Sequence, residues 1–175
     1  MDSIMSAKIS GYKLCLYLSL QYGWNTVSLM PCNLYGTNDT YDLVNGHVFP
    51  AFVRRFVEAA RENRPEEVLW GTGKPLREFL HVDDVANAVY YFMQNHNEPE
   101  IINVGYGTDI TIRELAEKIA AAAGFKGKIN WDASKPDGMY RKLMDSSKAR
   151  ALGWRPQITL DEGIIRTVAE YQKLS

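Results

Sequence analysis

Trp70-Gly71-Thr72-Gly73-Lys74-Pro75-Leu76-Arg77-Glu78-Phe79-Leu80-His81-Val82-Asp83-Asp84 reads as a strand end, a tight turn, a second strand and the first turn of a helix. Gly71, Gly73 and Pro75 supply the turn, because glycine accepts φ > 0 and proline fixes φ. Leu76, Phe79, Leu80 and Val82 make a short apolar strand, and Asp83 stands where a helix N-cap is expected. Trp70 at one mouth of the turn and Arg77 at the other do not belong to a plain hairpin. A flat aromatic beside a planar cation suits a flat, anionic ligand; the bland alternative is a surface Arg–Trp stack.

Outward from this stretch, helices alternate with short apolar strands, which predicts an α/β fold. A helix over 4–22 stops at Gly23, and Thr26–Met30 is a strand closed by Pro31. Asn33 to Gly36 opens a polar loop, and Val48–Asn63 is an amphipathic helix with Pro50 in its first turn. Asp83–Gln94 is a third helix, and Ile101–Val104 is an apolar strand of the kind found inside a parallel sheet. Thr111 with Glu114, and Thr159 with Glu162, are capping boxes for two further helices. Between them lie a strand at Lys128–Trp131, a loop at Ser134–Gly138 and a short helix at Ser146–Leu152.

A length of 175 residues suits one domain, and 46% hydrophobic with 23% charged residues marks an ordinary globular protein. Twenty basic and 21 acidic residues leave a net charge of −1, which recommends neither nucleic acid nor an anionic membrane. Cys15 and Cys32 make neither a disulfide framework nor a metal knuckle, so a reducing cytoplasm is expected and no metal site is. Leu14–Leu20, broken by Ser19, is too short to span a bilayer. A doubly wound nucleotide-binding domain opens on a strand and a Gly-rich turn, whereas this chain opens on a helix. Gly105-Tyr106-Gly107 follows a strand but has Ile at 110, so it is an incomplete fingerprint. The chain therefore reads as the back part of a larger α/β protein.

Ala7–Cys15, Met30–Gly36, Gly46–Ala51, Leu69–Gly73, Leu76–Asp84, Ile102–Gly105, Asp132–Gly138 and Arg141–Asp145 together resemble the C-terminal half of the GDP-L-fucose synthases. These are extended short-chain dehydrogenase/reductases that epimerise and then reduce GDP-4-keto-6-deoxymannose with NADPH. His47 with its flanks, and the Lys135–Gly138 loop, narrow the match from the broader nucleotide-sugar family. The resemblance implies a substrate-binding part with only the last elements of a Rossmann domain. Residues 1–36 would be the tail of that domain and 37–175 a GDP-sugar-binding domain, with strand 101–104 returning to the Rossmann sheet. NADP is implied for the whole enzyme, together with a GDP-sugar as ligand and a homodimer built on the Lys8 helix.

Residue roles follow from the same resemblance. Lys8 matches the lysine of a Tyr-x-x-x-Lys pair, which holds the nicotinamide ribose and lowers the tyrosine pKa; alone it reads as a solvated helix lysine. The tyrosine position is Ile4, an alkyl group that cannot give the proton ketone reduction takes. His47 matches a histidine that acts as general acid in epimerisation and lies near the cofactor; otherwise it is a helix-start residue. Pro31, Asn33 and Leu34 match a strand end under the nicotinamide, with Asn33 also reaching the sugar. Val48, Arg55, Trp70, Arg77, Asp137 and Lys142 match substrate-side residues: Arg55 for the diphosphate, Trp70 and Arg77 for the GDP moiety, and Asp137 as an acceptor for guanine. Arg54 reads as solvated, Asp83 and Asp84 as helix caps, Cys15 and Cys32 as small core residues. Tyr12, Tyr17 and Trp24 read as packing or dimer-contact residues. Alternative functions are a non-catalytic GDP-sugar-binding module, or an epimerase or dehydratase relative acting on another nucleotide sugar.

Overall fold

The computed structural model describes residues 2–43 and 46–174, with side chains from Ser6 onward. In chain order the elements are α1 (Asp2–Tyr22), β1 (Ser28–Pro31), β2 (Asn33–Tyr35), α2 (Val48–Arg61), β3 (Glu66–Trp70), β4 (Leu76–Arg77) and β5 (Phe79–His81). There follow α3 (Val82–Asn95), β6 (Ile101–Val104), β7 (Ile110–Thr111), α4 (Ile112–Ala123), β8 (Lys128–Asp132), β9 (Arg141–Lys142), α5 (Ser147–Ala151) and α6 (Leu160–Leu174).

Most strands pair in parallel with strands distant in sequence. β1 pairs with β6, β2 with β5 and β3 with β8, while β4 is flanked by antiparallel β7 and parallel β9. The tight turn across Gly71–Pro75 does not close a hairpin, since β3 and β4 turn to different partners. Asn33–Tyr35, expected to be loop, is a strand in register with Phe79–His81. Its polar first residue hid it: Asn33 Nδ2 donates to Glu78 O at 2.7 Å instead of facing water.

Two cores hold these pieces. The larger joins α2, α4, α6 and β3 through Phe49, Phe56, Val57, Leu69, Leu115, Ile119 and Ile164. Gly163 lets α6 approach: a Cβ there would lie 2.0 Å from the Tyr35 hydroxyl oxygen. The smaller joins β5, α3, β6 and α5 through Leu80, Ala88, Phe92, Ile102, Val104 and Ala149, with Trp154 beside them. Cys32 packs at its edge and Cys15 is half-buried, so neither lies in the interior proper.

Helix α4 carries the capping box read from sequence, with Thr111 and Glu114 bonding reciprocally, and it ends at Gly124 with φ 75°. The second box is half formed. Thr159 Oγ1 accepts from Glu162 N–H at 3.3 Å, but the Glu162 carboxylate turns to Arg166 at 2.5 Å. His81, not Asp83, caps α3, its Nδ1 accepting from Asp83 N–H at 3.2 Å. Asp84 is buried and accepts from Gln157 N–H at 2.9 Å and Ile158 N–H at 3.1 Å, anchoring the approach to α6. Arg54 is not merely solvated: it pairs with Glu58 at 2.9 Å and donates to Tyr41 O. Tyr17 and Trp24 are exposed. Among the described residues no helix is long and apolar enough to cross a membrane.

Candidate functional site

Two adjoining clefts are lined by residues of β1–β5 and the segments that follow them. The first, ≈ 280 Å³, is bounded by the start of α2, the turn after β3, β4 and the 134–138 loop. Val48, Arg55, Trp70, Arg77 and Asp137 line it, on a floor that includes Phe52, Pro75 and Ile112. The second, ≈ 730 Å³, is lined by Lys8, Pro31, Asn33, Leu34, His47 and Lys142, and shares Val48 and Arg77 with the first. All eleven residues singled out from sequence line one cleft or the other, although they span Lys8 to Lys142.

Local structure explains how each is held. His47 is the exposed N-cap residue of α2 and makes no side-chain cap bond, so its imidazole is not consumed by the helix. Arg55, just over two turns further on, donates to Val68 O at 3.0 Å and lies 3.4 Å from buried Glu67. Its charge is shared, since Glu67 also binds Arg64 at 3.2 Å. Trp70 is 70% exposed and has Lys135 Nζ, not Arg77, at 5.7 Å from its ring centroid. The surface Arg–Trp stack considered from sequence is therefore replaced by two residues on one cleft wall. Arg77 donates to Leu76 O at 2.8 Å and stands in register with Lys142 across β4 and β9, which sets two cations on neighbouring strands.

Asp137 accepts from Thr72 N–H and from the Thr72 hydroxyl, both at 2.6 Å. These bonds hold its carboxyl below the usual carboxylate range. Cys32 also lines the second cleft; burial above all pushes its thiol up to about 12. The side chain of Ile4 lies outside the described residues.

Sequence reasoning passed over Thr72 and Glu78. Glu78 is fully buried, and its carboxylate accepts from Gly107 N–H at 2.6 Å and Met144 N–H at 3.1 Å. With its carbonyl held by Asn33, this one residue fastens the segments carrying Asn33, Arg77 and Lys142. A carboxylate directly before apolar Phe79 and Leu80 was the available signal, because charges are buried only with partners.

The residues present suit part of a nicotinamide dinucleotide. Lys8 and the backbone at the end of β1 offer a cation and polar atoms fit for a ribose and its ring. The Gly105–Gly107 turn offers no phosphate cradle, because Glu78 already occupies the Gly107 N–H and would meet a Cβ at Gly105 at 2.5 Å.

Residues 5–105 match the model of the NAD dependent epimerase/dehydratase family. The chain belongs to this family. It is 52% identical over 165 residues to a probable GDP-L-fucose synthase 1 of Oryza sativa subsp. japonica, covering 94% of the chain and 50% of that relative. The GDP-L-fucose synthase of Escherichia coli K12 is 48% identical over 170 residues, 92% of the chain and 53% of that protein. Among solved structures, a GDP-L-fucose synthetase of Naegleria fowleri bound to NADP superposes with a TM-score of 0.85 at 27% identity, over 95% of the chain and 53% of that structure. The chain spans about half the length of the curated relatives it matches. The likeness to GDP-L-fucose synthases and the α/β fold read from the motifs both stand.

Proposed function

We propose that the chain binds a GDP-sugar across the two clefts, as the nucleotide-sugar-binding part of an NADP-dependent GDP-L-fucose synthase. The position of Arg77 carries this reading: it lines both clefts and is in register with Lys142, so a diphosphate laid across their junction meets paired positive charge. The apolar floor and exposed Trp70 of the first cleft suit a base, with Asp137 as its acceptor and Arg55 toward the diphosphate. Asn33, His47 and Lys142 suit the sugar, and Lys8, Pro31 and Leu34 the nicotinamide end of NADP.

NADP, when bound, supplies hydride to a ketone. His47, as general acid, supplies a proton at a carbon beside that ketone, the step on which epimerisation depends. Ile4 supplies none, so reduction is not expected of this chain. Residues 1–36, with β6 paired to β1, read as belonging to a dinucleotide-binding unit and 37–175 as the sugar-binding unit. A cytoplasmic homodimer completes the reading, supported by the apolar side chains that α1 exposes.

Calorimetry with GDP-L-fucose should show binding by the purified chain, while NADPH with the 4-keto sugar should show no oxidation. Absence of any GDP affinity would remove the site; oxidation of NADPH would remove the argument from Ile4. Ile4 also favours a second reading, a GDP-sugar-binding module that performs no chemistry. Titration with NADP separates the two, since only the enzyme part needs affinity that depends on Lys8. Displacement of GDP by UDP at equal concentration would instead point to a relative acting on other nucleotide sugars.

A further inference from the structure

The turn at Gly71–Lys74 and the loop at 132–138 are stitched together more closely than a cleft wall requires. Gly71 N–H donates to Asp132 O at 3.0 Å, and Arg113 Nη2 donates to Thr72 O at 2.9 Å. Lys74 N–H donates to the Thr72 hydroxyl oxygen at 3.2 Å. That oxygen, having accepted one proton, directs its own to Asp137 Oδ2 at 2.6 Å. Thr72 N–H holds Oδ1 at the same distance. Gly71, at φ 84°, leaves the room: a Cβ there would sit 2.3 Å from Asp137 Oδ1. The carboxylate on the wall of the first cleft is thus pinned at both oxygens by one residue.

A carboxylate held ionised is an acceptor only, so the ligand edge that meets it must be a donor. Guanine presents a ring N–H beside an exocyclic amino group; hypoxanthine keeps the ring N–H and lacks the amino group, and uracil flanks its N–H with carbonyls. We propose that Thr72 is a specificity-determining residue: by fixing Asp137, it makes the first cleft prefer a base edge with two adjacent N–H donors. The inference rests on the reading of that cleft as the base site.

The test is calorimetry with GDP, IDP and UDP on the whole chain and on Thr72→Val, Thr72→Ser and Asp137→Asn. GDP should bind the unmodified chain about tenfold more tightly than IDP, the worth of one charge-assisted bond. Thr72→Val should bring that ratio close to one, GDP losing more affinity than IDP, and Thr72→Ser should restore it. Asp137→Asn sets the size of the full loss. A loss shared equally by GDP and IDP, or an unchanged ratio in Thr72→Val, overturns the role of Thr72. So does a ratio near one in the unmodified chain, which needs no variant to fold. Failure of the unmodified chain to bind any of the three overturns the base site itself, and is told apart by that.

Discussion

Helices α1 and α2 both carry apolar residues at what looks like helical spacing, and the structure treats them in opposite ways. In α2, Phe49, Phe52, Val53, Phe56 and Val57 are buried. In α1, Ile9, Leu14, Tyr17, Leu20 and Tyr22 are all more than half exposed. The α2 residues fall at i, i+3, i+4, i+7 and i+8, which makes one stripe. Those of α1 fall at intervals of five, three, three and two and spread around the helix, outside the half-buried stripe of Tyr12, Cys15, Leu16 and Ser19. Counting apolar residues is therefore not enough; they must share a side.

The sharpest way to break this contrast is at Phe56, which is fully buried between α2 and its neighbours. Phe56→Ala should cost about 3–5 kcal/mol in denaturant melts, through lost burial and the cavity left behind. Arg77→Ala, next to the α2 site but outside its core, should weaken GDP binding by about 1.5–3 kcal/mol by calorimetry with little change in the melt. Thr111→Ala, which removes the cap of the helix packed on α2, should cost about 1 kcal/mol. Thr111 holds the Glu114 carboxyl below its ordinary value. The stabilisation from that bond is therefore full above the ordinary carboxylate range, fades as pH falls through the lowered value, and should be missing from the acid limb of the variant. Leu20→Ser on α1 should move the melt by no more than about 0.5 kcal/mol; a larger loss would mean α1 is covered in solution.

Elements with strong local signals were legible. The α4 box, the stop at Gly124 and the strand at 101–104 all rest on neighbours in sequence. Strand pairing was not, because β3 and β8 are separated by more than fifty residues and nothing in Glu66–Trp70 names its partner. The placing of Asp83 as the α3 cap failed because the helix starts earlier, at Val82, with His81 as its cap and Asp83 as the donor to it. At the site, the residue types were readable while their grouping was not. That Arg77 and Lys142 share a register, and that Thr72 grips Asp137, depends on folding that brings distant segments side by side.

Arg77 has one guanidinium and two clefts to serve. Ligands that each engaged it from one of the two clefts would be thermodynamically linked through a single side chain. Reciprocity then requires that whatever factor a nucleotide in the first cleft imposes on affinity in the second is returned unchanged. Order of addition leaves that factor untouched.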